Sequence, residues 1–370
     1  MSARFLTAVS GRAFNMRDRF GREIDYMRIS VIDSCNLNCY YCNPCDNNEH
    51  CHALNILSVK EVLCIVRAAT RLGIKHFRLT GGEPLLHPQL DEMVLQIKKI
   101  PGVSSVSLTT NAVLLAQHAK QLKEAGIDSI NVSLDTIDAS EYERITKKPL
   151  LEEVKHGINA AIECGIRVKI NVVLTPQTDV VALTRYVAKK GTDIRFIEMM
   201  PVGEGHTNGV EPYKKVIGTL SKLYGEPCRI NTEKTKEINS GNDKRKIPDN
   251  GPAEYYIFPE LGIRVGLIQA IHGKFCDTCN RIRVTADGRL MPCLGSSVTM
   301  DLVPDSWDFA DDAEKDFSIV RALRAAIKAK PGCHNFNDNA VTYTKTTETK
   351  TTEIEAAEVN AARNMSRIGG

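Results

Sequence analysis

Residues 26–42 read YMRISVIDSCNLNCYYC, a β-branched apolar run that passes directly into three cysteines. Five more runs of this kind follow, separated by segments with apolar residues at i, i+3 and i+4. The predicted strands are 26–33, 75–80, 104–111, 128–135, 167–174 and 193–199. Six strand–helix units predict an α/β fold with a parallel sheet and right-handed crossovers. Because eight units close a barrel, six indicate an open, partial barrel or a doubly wound sheet.

The segments between these strands have helical periodicity, and three of them end at glycines, which favour helix termination. The predicted helices are 58–73, 87–100, 112–126, 150–165 and 179–191. After about residue 201 the alternation stops, and the end of the chain is polar. We therefore predict a barrel over 17–200, a C-terminal region over 201–333 with a helix near 318–330, and a polar tail over 334–370.

Distinctive residues fall where the predicted strands end. They are SC (34–35), TGGEP (80–84), TTN (109–111), SLD (133–135) and EMMP (198–201). In a partial barrel or a doubly wound sheet the carboxyl ends of parallel strands hold the functional groups. The sequence therefore predicts a catalytic face at that end of the sheet.

The first cysteine group is Cys35-x3-Cys39-x2-Cys42, and Cys45 and Cys51 lie just beyond it. Because no secretory signal is visible, we expect reduced thiols, whose clustering is typical of metal or redox sites. A structural zinc site needs four ligands, usually in two pairs. Cys39, Cys42 and Cys45 also match the start of a ferredoxin-like run. Three thiolates on a four-iron cluster would instead leave one iron open, with Cys45 and Cys51 as non-ligands.

The second group is Cys276-x2-Cys279-x13-Cys293. Its spacing fits half of a zinc ribbon, for which His272 would be a fourth ligand, or a second cluster with an open iron. The cysteines outside both groups are isolated in sequence, and we interpret them as packing residues. They are Cys64, Cys164, Cys228 and Cys333.

The composition, with 42% hydrophobic and 25% charged residues, is that of a globular chain. A net charge of +3 is too small to indicate a nucleic-acid or membrane partner. No apolar run approaches the ~20 residues that cross a bilayer, and the apolar patch at 5–9 is too short for a signal peptide. We predict a cytoplasmic protein, and the arginines at 4, 12 and 17 leave an organelle transit segment open.

The CxxxCxxC spacing, with aromatic Tyr41 before the last cysteine, resembles the radical S-adenosylmethionine superfamily, and GGEP at 81–84 strengthens the resemblance. The resemblance implies a partial (β/α)6 TIM-like barrel, with a 4Fe–4S cluster on Cys35, Cys39 and Cys42. Its open iron would bind S-adenosylmethionine. Further contacts to this cofactor are implied for Gly82, Glu83, Thr110, Ser133 and Met200.

The second group continues into NRIR (280–283), TADGRL (285–290) and PCL (292–294), which resemble the GTP 3′,8-cyclase family from about residue 17 to the end. The resemblance implies that Cys276, Cys279 and Cys293 hold a second 4Fe–4S cluster whose open iron binds guanine. Arg28, Arg281 and Arg283 would line the cavity between the clusters. Arg78, Lys169 and Arg195 would hold the triphosphate, which planar guanidinium groups bind bidentately. The terminal Gly369 and Gly370 would thread into the active site, where only residues without side chains fit.

The reaction implied by this resemblance is radical cyclisation of GTP to (8S)-3′,8-cyclo-7,8-dihydroguanosine 5′-triphosphate, the first step of molybdenum cofactor biosynthesis. It implies cyclic pyranopterin monophosphate synthase as the downstream partner, an electron donor such as flavodoxin or ferredoxin, and a possible homodimer. Two alternatives stay open: a radical enzyme with an auxiliary cluster that acts on another substrate such as a peptide, and a non-catalytic zinc or electron-transfer protein.

Four positions depart from the usual pattern of the family. Ser34 replaces an arginine, Asn43 a methionine, His76 a lysine, and Ala112 the glycine of TTNG. None of these changes removes a predicted cluster ligand or arginine. They bear on cofactor packing and triphosphate affinity.

Overall fold

The computed structural model describes residues 16–42, 55–202, 210–230, 251–296, 299–302, 312–334 and 336. All six predicted strands are present: β1 (Tyr26–Ser30), β2 (His76–Thr80), β3 (Ser105–Thr110), β4 (Ser129–Ser133), β5 (Val168–Leu174) and β6 (Asp193–Glu198). The helices between them are α1 (Val59–Arg71), α2 (Leu90–Lys98), α3 (Leu115–Glu124), α4 (Ala139–Thr146), α5 (Leu151–Glu163) and α6 (Val180–Lys189). Five of the six were predicted. The eight-residue α4 was missed, although Asp138 caps its first turn by accepting a hydrogen bond from the Glu141 amide.

Local signals delimit these helices, and the three glycines act as predicted. Ser58 and Glu61 form a reciprocal capping box at the start of α1. Gly73, Gly126 and Gly165 follow their helices with φ of +86°, +88° and +68°, a region that favours glycine. The five predicted helices therefore end within about three residues of their expected limits.

The C-terminal region extends the same sheet. A π-helical turn (Tyr213–Ile217) leads into α7 (Gly218–Tyr224), and α8 (Asp312–Ala329) packs on α1. The added strands are β7 (Cys228–Arg229), β8 (Glu254–Ile257), β9 (Arg264–Ile268), β10 (Arg281–Val284), β11 (Arg289–Met291) and β12 (Met300–Asp301). None of the described helices is long and apolar enough to cross a bilayer.

The strand order is β12-β11-β10-β1-β2-β3-β4-β5-β6-β9-β8-β7, with β10 parallel to β1 and β9 parallel to β6. Two parallel strands, β9 and β10, thus follow the point near residue 201 at which the strand–helix alternation stops. β9 and β10 have only five and four residues, and β9 is reached through an antiparallel pair with β8, so no strand–helix rhythm marks them. One sheet runs across the predicted boundary at 200/201, and the division into domains stays a prediction.

The two faces of the sheet differ in polarity. Side chains alternate across a strand, and parallel sheets covered by helices on both faces are apolar throughout. Here one face carries fully buried apolar residues such as Ile29, Leu79 and Phe196, which belong to the hydrophobic core with the helices. The opposite face carries Arg28 and Arg195 in the same strands. This polar face is the interior of the partial barrel.

Candidate active site

The first cysteine loop is fixed against the GGEP segment by backbone hydrogen bonds. The Gly82 amide donates to the Ile32 carbonyl (2.7 Å), and the Glu83 amide donates to the Ser34 carbonyl (2.8 Å). A Cβ on Gly82 would lie 2.0 Å from the Ser34 carbonyl oxygen, well inside van der Waals contact. Gly82 therefore allows the GGEP backbone to lie directly under the residues that precede Cys35.

Glu83 links this segment to the end of β3. Its side chain is 1% exposed and accepts hydrogen bonds from the Leu85 amide (3.0 Å), the Thr110 hydroxyl (2.7 Å) and the Asn111 amide (2.7 Å). Burial raises the pKa of this carboxyl to about 7, and the three donors limit the rise. The Asn111 side chain donates to Asn36 (2.7 Å), within the cysteine loop. Glu83 and Thr110 thus organise the loop, and their predicted contacts to S-adenosylmethionine stay predictions.

Tyr41 ties the other side of the loop to β4. Its hydroxyl donates to Asp135 (2.5 Å), which follows β4 and also accepts from the Val173 amide (2.7 Å). Burial raises the pKa of Asp135 to about 6. The Asn38 and Tyr40 amides donate hydrogen bonds to carbonyls at the end of α4. The loop is therefore held from β2, β3, β4 and α4 at the carboxyl end of the strands, as predicted for the catalytic face.

Ala112, at the position where the resemblance implies a glycine, has φ of +66° and is fully buried. A non-glycine residue in this region costs roughly 1–2 kcal/mol. We expect Ala112→Gly to lower the free energy of unfolding by less than about 0.5 kcal/mol or to raise it, because relief of this strain offsets the lost methyl burial. The matched control Ala119→Gly, at a buried position in α3, should cost about 1 kcal/mol or more. Urea unfolding of both variants checks this, and equal losses would contradict it.

The second cysteine group, which was not among the motifs predicted for the catalytic face, lies at the opposite end of the sheet from the first. Cys276 and Cys279 precede β10, which runs parallel to β1, and Cys293 follows β11, which runs antiparallel to β10. The Asn280 carbonyl accepts from the Tyr26 amide at the start of β1 (3.3 Å). The two groups are thus separated by the length of the strands, roughly 16 Å for five residues.

Arg22 anchors the second group to the segment after α8. Its guanidinium donates to the carbonyls of Cys276 (2.7 Å), Pro331 (2.6 Å) and Gly332 (3.0 Å). Its Nε donates to the carboxylate of buried Asp18 (2.5 Å). Cys333 is exposed and close enough to Cys276 to affect its pKa, so its interpretation as an isolated packing residue is wrong. Nδ1 of His272, the residue weighed as a zinc ligand, forms a hydrogen bond with Glu198, the last residue of β6.

The thiols within each group are close enough to influence one another. Burial and then Cys42 raise the pKa of Cys39, and burial and then Cys293 raise that of Cys276. Burial also opposes ionisation of Cys279, but Arg281 and Lys330 outweigh it and lower that pKa to about 7. Within the described ranges, no three His, Cys, Asp or Glu side chains are arranged to hold a single metal ion.

A row of arginines crosses the interior between the two groups. Arg28 in β1 is the Cα partner of both Arg283 in β10 and Arg78 in β2, which places the three side chains on one face. Burial, then Arg283, then Arg78 lower the pKa of Arg28 well below its usual value. The Tyr26 hydroxyl accepts a hydrogen bond from Arg78 Nε. Three adjacent cations, of which Arg283 is buried and Arg28 and Arg78 are half-buried, repel one another, which is typical of a site that receives an anion.

Further cations continue the polar face on the other strands. Arg195 in β6 donates from Nε to Asn171 (2.9 Å), and Lys169 in β5 lies 5.9 Å from the ring centroid of Tyr255. Arg195 Nη2 and Arg281 Nε are buried with no hydrogen-bond partner among the described residues. Buried donors without acceptors are rare, so a ligand with acceptor oxygens fits this face.

The remaining predicted residues divide by location. Ser133 is exposed at the end of β4, and Met200 is half-buried two residues after β6, both at the end that holds the first cysteine loop. Gly369, Gly370, Cys45 and Cys51 lie outside the described residues. Sequence reasoning missed Tyr26, although it stands two residues before Arg28 and so faces the same side.

Two family models together match most of the chain. Residues 29–182 match the Radical SAM superfamily, and residues 192–336 match Molybdenum Cofactor Synthesis C. A GTP 3′,8-cyclase of Clostridium perfringens (strain SM101 / Type A) is 35% identical over 324 residues, 87% of this chain and 95% of that protein. A GTP 3′,8-cyclase of Pelotomaculum thermopropionicum is 36% identical over 327 residues, 86% and 95% of the two chains.

Among solved structures, the chain resembles Streptococcus suis SuiB bound to precursor peptide SuiA, with a TM-score of 0.55 and 14% identity. The match covers 83% of this chain and 68% of that one. SuiB bound to S-adenosylmethionine gives a TM-score of 0.51 over 80% and 67% of the two chains. At this identity the likeness shows the fold alone, and it agrees with a partial barrel.

Proposed function

The chain belongs to the GTP 3′,8-cyclase family of radical S-adenosylmethionine enzymes, and on that basis we propose how its residues divide the work. It is an enzyme that cyclises GTP by radical chemistry in molybdenum cofactor biosynthesis, with S-adenosylmethionine and an iron–sulfur cluster. Our proposal concerns the number of clusters, the residues that hold them and the residues that hold GTP.

We assign one 4Fe–4S cluster to Cys35, Cys39 and Cys42 and a second to Cys276, Cys279 and Cys293. The donor sets fit, because each group brings three thiols of one small region together and thiolates are the usual ligands of such clusters. The close approach of Gly82 to Ser34 holds the segment that enters the first loop in a fixed place. When bound, the first cluster and S-adenosylmethionine would supply a 5′-deoxyadenosyl radical for removal of the ribose 3′ hydrogen.

The observation that carries the proposal is the basic interior between two thiol groups at opposite ends of one sheet. A nucleoside triphosphate carries about four negative charges, and hydrogen bonds to charged groups contribute roughly 1.5–3 kcal/mol each. Arg78, Lys169 and Arg195 would hold the triphosphate, and Arg28, Arg281 and Arg283 would surround the base and ribose. This remote binding would hold the ribose and guanine carbons in reacting geometry.

Other parts of the proposal rest on the family alone. They are transfer of the product to cyclic pyranopterin monophosphate synthase, reduction by a flavodoxin or ferredoxin, a homodimer, and a cytoplasmic location. The proposed role of Gly369 and Gly370 in the active site also belongs here. A C-terminal tag should therefore be avoided in the test below.

The test is anaerobic purification with cluster reconstitution, iron counting, and incubation with S-adenosylmethionine, a reductant and GTP. We expect about eight irons per chain, and 5′-deoxyadenosine that forms only when GTP is present. ATP serves as the matched control nucleotide, because it carries the same triphosphate without guanine. About four irons with nucleotide-independent cleavage would contradict the two-cluster assignment.

A further inference from the structure

Lys330 is a buried cation that joins the two arms of the second cysteine group. It follows α8 directly and is 2% exposed. Its ammonium donates to the carbonyls of Arg281 (2.7 Å) and Pro292 (2.8 Å). Arg281 lies two residues after Cys279, and Pro292 lies directly before Cys293. One side chain therefore sets the separation of the two ligand-bearing segments.

The charge of Lys330 is not matched by an acid. Among the described residues, no carboxylate lies within ion-pair distance of its ammonium. Carbonyl oxygens satisfy its donors but leave the charge uncompensated, and a buried uncompensated ammonium is costly. The ammonium also lies close enough to the Cys279 thiol to help lower its pKa. We therefore expect the sulfur atoms of the second cysteine group to carry the negative charge that complements the Lys330 ammonium.

We propose that Lys330 is a positioning residue for the second cluster, holding the Cys279 and Cys293 arms at ligand spacing and complementing the negative charge of the bound cluster. The inference rests on the proposed second cluster. A 4Fe–4S core held by three thiolates is anionic and becomes more so on reduction. A fixed buried cation beside it therefore favours both binding and the reduced state.

The test uses Lys330→Met, which keeps most of the aliphatic stem and removes the ammonium, with Lys328→Met as the matched control. Lys328 is exposed in the last turn of α8, so its replacement should leave cluster loading unchanged. Each protein is reconstituted anaerobically at full length. Iron per chain is counted, and the EPR spectra of the reduced clusters are recorded during a redox titration.

We expect wild type and Lys328→Met to hold about eight irons and Lys330→Met to lose at least about half of the second-site iron. The remaining second cluster should show a more negative reduction potential. The EPR change that S-adenosylmethionine causes at the first cluster should persist, because that cluster lies at the other end of the sheet. It serves as the control for folding.

Full iron loading of Lys330→Met with an unchanged second-cluster potential would overturn the inference and leave Lys330 as a packing residue. If that variant does not fold, Lys330→Gln decides, because its amide still donates to carbonyls but has no charge. An unchanged potential in the Gln variant also overturns the inference. Wild-type protein with only one cluster would overturn the proposed second site, and this inference with it, while the variants bear on Lys330 alone.

Discussion

Arg283→Met should remove most of the stabilisation of the protein by GTP without lowering its melting temperature in the absence of GTP. Arg283 is 7% exposed, and its strand neighbour across the sheet is Arg28. Burial, followed by repulsion from Arg281, lowers the pKa of Arg283 to about 10. Since the pKa is below the value in the unfolded chain, the charged form is disfavoured in the fold. This penalty is present at neutral pH and fades only above about pH 10.

The expected changes in stability and in GTP turnover follow from the position of Arg283 next to Arg28. Burial and repulsion from Arg281 disfavour the charge of Arg283, so its replacement by methionine relieves both and should not lower the melting temperature. In wild type, GTP at about 100 times its Kd should add about 2.7 kcal/mol of stability, and the variant should lose most of this. Loss of one or two charge-assisted hydrogen bonds should also lower the turnover of GTP by about 10²-fold or more.

Thermal melts of the reconstituted protein with and without GTP check this prediction, together with the rate of 5′-deoxyadenosine formation. Arg321→Met, at an exposed position in α8, is the matched control and should leave both quantities unchanged. A lower melting temperature of Arg283→Met without GTP, with GTP stabilisation intact, would mean that Arg283 has a structural role. The substrate would then have to be held by other residues.

The elements that the sequence predicts well are those whose signals are local. The six barrel strands follow from apolar runs such as 168–174, and helix ends follow from glycines such as Gly126, because both depend on residues nearby in the chain. The strand-end motifs GGEP and TTN locate the first cysteine loop for the same reason. The parallel topology then fixes on which edge they meet.

The parts that escaped prediction depend on contacts distant in sequence. Pairing of Arg283 with Arg28 joins residues more than 250 positions apart, and a four-residue strand gives too little periodicity to reveal it. The placement of Cys276 at the amino end of the sheet follows from that pairing. Lys330 has no local signal at all, because its contacts are two carbonyls contributed by the start of β10 and by the residue after β11.

Gly82→Ala should remove the first cluster and leave the second in place. An ideal Cβ at this position lies 2.0 Å from the carbonyl oxygen and 2.4 Å from the carbonyl carbon of Ser34. Both are backbone atoms, so the clash can be relieved only by moving the segment that enters the cysteine loop. The hydrogen bonds that Gly82 and Glu83 donate to that segment would break with it. We expect about four irons per chain instead of about eight, and no detectable cleavage of S-adenosylmethionine.

Gly218→Ala is the matched control for this prediction. Gly218 has φ of −61° at the start of α7, and a Cβ there meets nothing within 4 Å. Alanine should therefore stabilise the protein by about 0.5–1 kcal/mol and leave iron content and turnover unchanged. Iron analysis and EPR spectroscopy of both variants check this prediction. In Gly82→Ala the EPR change caused by GTP should persist, and the change caused by S-adenosylmethionine should disappear. Full iron content and normal cleavage in Gly82→Ala would mean that the cysteine loop can shift without losing its ligand geometry, and Gly82 would then not be required for the close approach of the two segments.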